Sequence, residues 1–423
     1  MKKCWISANL HPFLHQLRTH LLTNYDEFII LNSFINTYDF NVLQGSQFLF
    51  MKVMDNKSVT IAVGMSGGVD SSLAASLLKN DGYSVVGITM AIYSGKDTVD
   101  KNNGHACYGP GEEDDIRLAK KVCAFLDIPH YIIDLKQEYK KTVLDYFTSE
   151  YMKGRTPNPC IRCNPMLKFG FMLEKARKTG IDFDIFATGH YVRTAYSDDN
   201  HRHVLKKAID ENKDQSYFLY GLNSDQLKNI QFPLGGLTKE EVRTIAEKQN
   251  LPAKDEPESQ DFIEGGDYSG LFSEDQIKPG PLVDTEGKKL GEHRGIIYYT
   301  IGQRRGIGIA APEPLYVLKI DAPENTIVVG QKNNLFSDTL IAGSVNYLSI
   351  DPLQQELKVK AKIRHNHKAD DACITPMDNG TLKVVFDVPQ LSITPGQAVV
   401  FYDDDIVLGG GIIQEHTLGE THV

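Results

Sequence analysis

Cysteine is scarce in this chain, six in 423 residues, so no disulfide framework is expected to hold it together. Long apolar runs are missing as well, and none reaches the length of a membrane span. Positive charge is in deficit: 45 Lys and Arg stand against 55 Asp and Glu, a formal net charge of −10. That balance excludes loose, purely electrostatic binding of nucleic acid, but not a local basic patch. The opening "MKKCWISANLHPFLHQLRTHLL" lacks the clean apolar core and small-residue cleavage site of a signal peptide. It also lacks the Arg and Ser richness of a transit peptide. Residues 1–53 are expected to be a poorly defined extension, and the protein to be cytoplasmic, with no membrane partner.

What is present is an ordinary apolar fraction, 41%, and length for two or three domains. "VTIAVGM" is a continuous apolar strand of the kind buried on both faces. "SGGVDS" is a turn, "SLAASLLKNDG" has helical spacing with Gly82 as its cap, and "SVVGITMAIY" is the next strand. This is a βαβ unit, and parallel pairing should follow. Helical runs such as "EEDDIRLAKKVCAFLDI" and "PMLKFGFMLEKARKTG" continue to alternate with the strands "HYIIDL" and "FDIFATGHYV". The pattern predicts an α/β fold, a doubly wound parallel sheet over residues 54–232. Residues 233–312 read as a small central domain. It begins with a helix capped by Thr238 and Glu241 and continues through the loop-heavy "ESQDFIEGGDYSGLF". Residues 313–423 alternate in short runs, "LYVLKIDA", "KVKAKIRH", "TLKVVFDV", and predict a C-terminal β-barrel. There is no internal repeat.

"GMSGGVDSS", Gly64 to Ser72, lies where a strand turns into a helix. Gly67 and Gly68 let backbone amides approach an anion, and the helix N-terminus adds partial positive charge. Ser66, Ser71 and Ser72 add hydroxyls. The loop is neither a Walker A motif, whose lysine it lacks, nor a G-x-G-x-x-G dinucleotide turn. By itself it says only that a phosphate site or an ordinary Gly-rich turn lies here. The full S-G-G-x-D-S string after an apolar strand resembles the PP-loop of ATP pyrophosphatases, which split ATP into AMP and pyrophosphate. That resemblance implies ATP held by Gly64, Met65, Ser66, Gly67, Gly68, Val69, Asp70 and Ser71. It also implies that Met90 and Gly189 line the nucleotide site. Asp70 is expected to help place Mg2+, a cation suited to carboxylates.

"RTPNPCIRCN" holds Cys160 and Cys163 as C-x-x-C. Such a pair can bind zinc, shuttle a disulfide, hold an iron–sulfur cluster or carry sulfur. Taken with "GMSGGVDSS", "ATGHYVR", "KDQSYFLYGL", "RGIIYYTIGQRRGIGI" and "TPGQAVVFY", it resembles the tRNA-specific 2-thiouridylases, in order over about residues 57–416. The resemblance implies a PP-loop domain, a central domain and a barrel. It implies a tRNA-uridine 2-sulfurtransferase that adenylates the wobble uridine of the tRNAs for Lys, Glu and Gln and replaces its C2 oxygen with sulfur. Cys163 is then the expected nucleophile, with Cys160 beside it. Expected tRNA contacts are Asn158 and Pro159 flanking the base, His190, and Lys213, Asp214 and Gln215. Arg304 and Arg305, Arg364 and His365 in a basic run, and Gln397 complete the set. A solvated strand face is the plainer reading of that basic run. A sulfur donor protein, a cysteine desulfurase or a relay, is an expected partner. An alternative is an amide or amidino synthetase with the same loop, which needs neither C-x-x-C nor a barrel. A retired RNA-binding protein is another, opposed by the intact loop.

The chain departs from the family in two places. Most members have Asp where Cys160 stands, and carry a distant cysteine where this chain reads "ESQDFIEGGDY", with Asp261 near that position. Among the other cysteines, Cys4 is in the extension, Cys123 is expected in the core and Cys373 in the barrel. Cys107, on an expected Gly/Pro loop at the carboxyl edge of the sheet, is placed to meet the C-x-x-C. Three readings follow: a 4Fe–4S cluster on Cys107, Cys160 and Cys163, a persulfide or disulfide pair of Cys160 and Cys163, or a zinc half-site.

Overall fold

In the computed structural model, residues 58–95, 106–198, 201–256, 261–263 and 267–416 are described. They all fall within one compact unit, Asp55–Val423. The extension and Cys4 lie outside the described residues.

The strands are β1 Thr60–Gly64, β2 Ser84–Ala91, β3 Ala106–Tyr108, β4 His130–Asp134, β5 Ile185–Ala187, β6 Val192–Ser197, β7 Arg202–Lys207, β8 Ile230–Gln231 and β9 Asp261–Ile263. The first sheet has the order β4-β2-β1-β5-β8, and every pair in it is parallel. β1 lies in the middle, which is why Ile61, Ala62 and Val63 are all fully buried. The order reverses at β1, so the crevice at its carboxyl end is the natural ligand site of such a sheet. The helix Val69–Asn80 follows β1 and ends where Gly82 takes φ +89°.

The helix Lys239–Lys248 has the expected capping box, with the Thr238 hydroxyl accepting from the Glu241 amide. It packs back on the first domain. Val242, Ala246, Leu251 and Ala253 share a core with Leu73, Ala74 and Leu78. The expected boundary at 232 is therefore crossed by a continuous apolar core.

β10 Gly280–Val283, β11 Lys289–His293, β12 Tyr316–Asp321 and β13 Thr326–Gly330 form a separate four-stranded sheet, ordered β11-β10-β13-β12. β12 and β13 were expected in the barrel. They join the central sheet because Leu282 and Val283 pair in parallel with Ile327 and Val328.

β14 Phe336–Tyr347, β15 Leu357–Lys362, β16 Asp370–Pro376, β17 Leu382–Leu391, β18 Ala398–Asp403 and β19 Ile406–His416 run β14-β17-β16-β15-β18-β19 and close through β14–β19. This is a six-stranded barrel. Its sheet extends through β19–β7 to the β6–β7 hairpin, which belongs in sequence to the first domain. Tyr217, Leu219 and Tyr220 share a core with Ala398, Val400 and Tyr402, and the Tyr217 hydroxyl donates to the Ala398 carbonyl at 3.0 Å. No described helix is long and apolar enough to cross a membrane.

One turn ties the barrel to the segment before the cysteines. The Thr156 amide donates to the Pro395 carbonyl at 2.9 Å, and Gln397 Nε2 donates to the Thr156 carbonyl at 2.7 Å. Gly396 lies between them at φ +94°, and a Cβ there would fall 2.9 Å from Thr156 backbone atoms. Gly396→Ala should cost about 1–3 kcal/mol by overpacking alone, and more with the positive φ. A thermal melt of the full chain checks this; an unchanged midpoint would show that the turn tolerates a side chain.

Candidate functional site

The phosphate loop stands where the sequence placed it. Met65 and Val69 turn their side chains into the core, while the Ser66 side chain is exposed. Gly67 takes φ +85°, and a Cβ there would meet the Asp115 carbonyl at 2.7 Å. The loop's own hydroxyls bond its backbone: the Ser66 amide donates to Ser71 Oγ at 3.2 Å, and Ser71 Oγ donates to the Gly68 carbonyl at 3.1 Å. These groups can exchange such local bonds for those of an anion at the helix start.

Gly189 follows β5 and meets the first turn of the loop helix. A Cβ on it would lie 2.7 Å from the Asp70 carbonyl carbon and 2.8 Å from the Ser71 nitrogen. Met90, half-buried near the end of β2, lies on the neighbouring strand. Asp70 is the junction of three segments. Its Oδ1 accepts from the Tyr191 hydroxyl at 2.7 Å, and its two oxygens accept from Lys239 Nζ at 2.7 and 2.9 Å. Sequence reasoning missed Tyr191 and Lys239, because neither spacing nor composition brings residues over a hundred positions away to the loop.

The cysteine turn is built by Asn158 and Pro159. Asn158 Oδ1 caps the helix Pro159–Arg162 by accepting from the Cys160 amide at 3.0 Å, and Pro159 begins that helix. A π-helix, Cys163–Phe171, follows directly. Its backbone bonds run from i to i+5, so Cys163 and Lys168 come near one face. Arg162 lies 4.3 Å above the Tyr146 ring.

Cys107 is on a strand, not the expected loop. β3 pairs in parallel with β9, setting Ala106 opposite Asp261 and Tyr108 opposite Ile263. The thiol of Cys107 is thus on the strand beside β9, the segment where the resemblance implies a distant cysteine. Cys107 is exposed, Cys160 and Cys163 are half-buried, and all are free thiols. They lie within electrostatic reach of one another. Burial pushes the Cys160 thiol up to about 12, with Cys107 adding to the effect and Lys168 opposing it. Burial likewise raises Cys163 to about 11, against the pull of Lys168. Burial works against the Lys168 ammonium, but Cys163, Cys107 and Cys160 outweigh it, and its pKa is raised. His190 is held well below its usual range by burial and then by Lys168, so its ring is neutral. Its Nδ1 shares a 2.8 Å hydrogen bond with Thr188 Oγ1.

The other cysteines lie apart from this group. Cys123 is buried in the core, where burial raises its thiol to about 11, and Cys373 is in the barrel strand β16. No group of three or more His, Cys, Asp or Glu among the described residues is placed to hold a single metal ion. A tetrahedral zinc site wants four ligands, and the turn and β3 supply three thiols between them. A 4Fe–4S cluster asks less of convergence, since separate irons take separate thiolates. Three thiols match such a cluster in number and type of donor.

The expected RNA contacts divide. Arg304 and Arg305 are exposed on a glycine-rich loop. Asp214 is buried, and its oxygens accept from the Ala208 and Ser216 amides and the Ser216 hydroxyl. Gln215 Oε1 accepts from the Tyr191 amide at 2.9 Å. Lys213, half-buried, stands in the turn before them, its amide donating to the Asp210 carbonyl at 3.1 Å. Arg364 donates to the Ser392 carbonyl and Thr394 Oγ1 inside the barrel. His365 stacks 4.4 Å from the Phe218 ring, and its Nδ1 is buried without a partner. Gln397 is committed to Thr156, as the barrel turn requires.

Three family models match the chain. Residues 59–264 match a tRNA methyl transferase HUP domain, 272–331 a tRNA methyl transferase PRC-barrel domain and 337–413 an aminomethyltransferase β-barrel domain. A protein of Acetivibrio thermocellus named tRNA-specific 2-thiouridylase MnmA is 48% identical over 359 residues, covering 84% of this chain and 99% of that one. The tRNA-specific 2-thiouridylase MnmA 2 of Thermoanaerobacter sp. is also 48% identical over 359 residues, 84% of this chain and 97% of its own. A tRNA-specific 2-thiouridylase MnmA of Endomicrobium trichonymphae is 47% identical over 356 residues, 84% and 98%.

Burial of the thiols has a measurable consequence. Alkylation of Cys163 and Cys160 by iodoacetamide should be slow at neutral pH and climb above about pH 9, Cys163 first, because only the thiolate reacts. Peptide mass spectrometry against pH reads it. A rate already at its plateau by pH 8 would exclude dominant burial.

Proposed function

The chain belongs to the tRNA-specific 2-thiouridylase family, and from that premise we propose that Cys107, Cys160 and Cys163 together handle the sulfur of its reaction. The reaction is the ATP-dependent formation of 2-thiouridine in tRNA, with Mg2+ accompanying the nucleotide. The expected target is the wobble uridine of the tRNAs for Lys, Glu and Gln, in a loop whose bases can be splayed into a pocket.

The chemistry has two halves. The uridine O2 attacks the α-phosphorus of ATP, pyrophosphate leaves, and C2 carries an adenylate. A sulfur nucleophile then adds to C2, the C2–O bond breaks, and AMP departs with the former uridine oxygen. The phosphate loop and the helix N-terminus behind it receive the pyrophosphate, with Met90 and Gly189 beside the nucleoside. Asn158 holds the cysteine turn in register, and Lys168 supplies a positive charge beside a thiolate or persulfide. The neutral His190 can donate or accept a hydrogen bond but not act as a cation. The exposed Arg304 and Arg305 are the side chains best placed for RNA phosphates, with Lys213 a further cation for them.

The names attached to the relatives and to the family models differ, thiolation against methylation. The cysteine turn favours sulfur, since methyl transfer needs no cluster of thiols. The observation that carries the three-thiol reading is Cys107 on β3, beside β9 and in electrostatic contact with the C-x-x-C. The three thiolates suit a 4Fe–4S cluster, whose fourth iron would be open to take up sulfide. A cysteine desulfurase or relay protein would supply the sulfur as a persulfide, from which a thiol reductant releases sulfide as the reductant is oxidised to a disulfide. The second reading, a persulfide pair of Cys160 and Cys163, is favoured by their adjacency alone.

Mass spectrometry of tRNA from a deletion strain tests the reaction, and retained 2-thiouridine would sink it. Cys163→Ala should abolish thiolation, and Cys107→Ser should lower it by about ten-fold or more, as loss of a ligand does. Full activity in Cys107→Ser, or in a colourless, iron-free preparation, would transfer the role to Cys160 and Cys163 alone.

A further inference from the structure

The phosphate loop lacks a cation of its own. No Lys or Arg lies between Gly64 and Ser72, so its contribution is amides, hydroxyls and a helix end. A helix N-terminus is worth about half a positive charge. The phosphates of ATP carry several negative charges, and Mg2+ neutralises two of them. Lys239 arrives from a distant stretch of the sequence. It is the first residue of the helix Lys239–Lys248 and is 8% exposed, and its Nζ reaches both oxygens of Asp70 in the first turn of the loop helix. The helix start is fixed from two sides, by the Thr238 cap and by a 3.0 Å bond from the Lys239 amide to Asp210 Oδ2. The stem of Lys239 runs past Tyr191, whose ring centroid is 5.6 Å from Nζ and whose hydroxyl also bonds Asp70.

An ion pair this sheltered gains little stability over an apolar pair of equal volume. Its position is the telling feature, one residue from Ser71 and against the peptide on which Gly189 packs. We propose that Lys239 is a ligand of the pyrophosphate moiety of ATP, held on Asp70 until Mg2+ takes that carboxylate. Asp70 would hold Mg2+ in place of the ammonium once the metal is bound. The released Nζ, on a four-carbon stem, turns to the β- and γ-phosphate oxygens, where a lysine serves as a point charge. The positive charge displaced by the metal is thus re-used on the group that leaves. The proposal rests on cleavage of ATP to AMP and pyrophosphate, but not on the identity of the base thiolated.

Equilibrium binding to the full-length protein tests it, with Mg-ATP, inorganic pyrophosphate and AMP as separate probes. Lys239→Met is expected to weaken Mg-ATP and pyrophosphate at least ten-fold and to leave AMP within two-fold. Lys239→Arg should recover some of the loss. Pyrophosphate affinity within two-fold of the parent in a folded Lys239→Met protein would overturn the proposal, as would equal losses for AMP and pyrophosphate. If Lys239→Met does not fold, Asp70→Asn decides. It removes the negative charge that Asp70 sets against Lys239 Nζ, so metal-free pyrophosphate binding should rise several-fold, and no rise would overturn the proposal. No tRNA is needed, so a failure here is distinct from a failure of the thiolation assay.

Discussion

The contact on which the nucleotide half of the molecule depends is the one around the Asp70 carboxylate. Three segments far apart in sequence meet there: the loop helix, the turn after β5 and the helix Lys239–Lys248. Tyr191 and Lys239 both donate to it, and Gly189 packs its backbone on the next peptide. A side chain at Gly189 would push the turn after β5 away from the loop helix. A loss at Lys239 would leave a half-buried carboxylate with one neutral donor. The phosphate loop is therefore a local motif held open by distant residues, and the helix capped by Thr238 belongs to the nucleotide domain in packing.

The chemistry of the cysteine turn depends on burial. Cys160 and Cys163 sit where protein surrounds them, and burial raises both thiols far from the thiolate form. A nucleophile in that state needs a counter-charge or a metal to form. Lys168 is the counter-charge at hand. It reaches the thiols because the chain after Cys163 winds as a π-helix, which brings residues five apart to one side. Burial depresses His190 and the same lysine adds to it, so one cation bears on both the thiols and that ring.

The barrel acts on this centre at short range. Its Pro395–Gln397 turn bonds the backbone of Thr156, two residues before Asn158. The β6–β7 hairpin, paired with β19, is a second junction with the barrel.

The sequence by itself determined the parallel sheet, the phosphate loop, the cysteine turn and the presence of a β-barrel. Each is a local pattern: apolar runs of fixed period, glycines where the backbone must bend, a capped start, a C-x-x-C spacing. Local patterns also carried the family resemblance. Tertiary structure alone decided which side chains share a site. Cys107 lies within electrostatic reach of Cys160 and Cys163 on β3, which pairs with β9, and a three-residue strand has no period long enough to read. Lys239 reaches Asp70 across 169 positions, and nothing in either neighbourhood announces the other. Asp214, Arg364 and Gln397 were expected to contact tRNA, and the fold gives each a partner within the protein. The strands Tyr316–Asp321 and Thr326–Gly330 alternate like barrel strands, yet pair elsewhere, because alternation specifies a half-buried strand and not its neighbour.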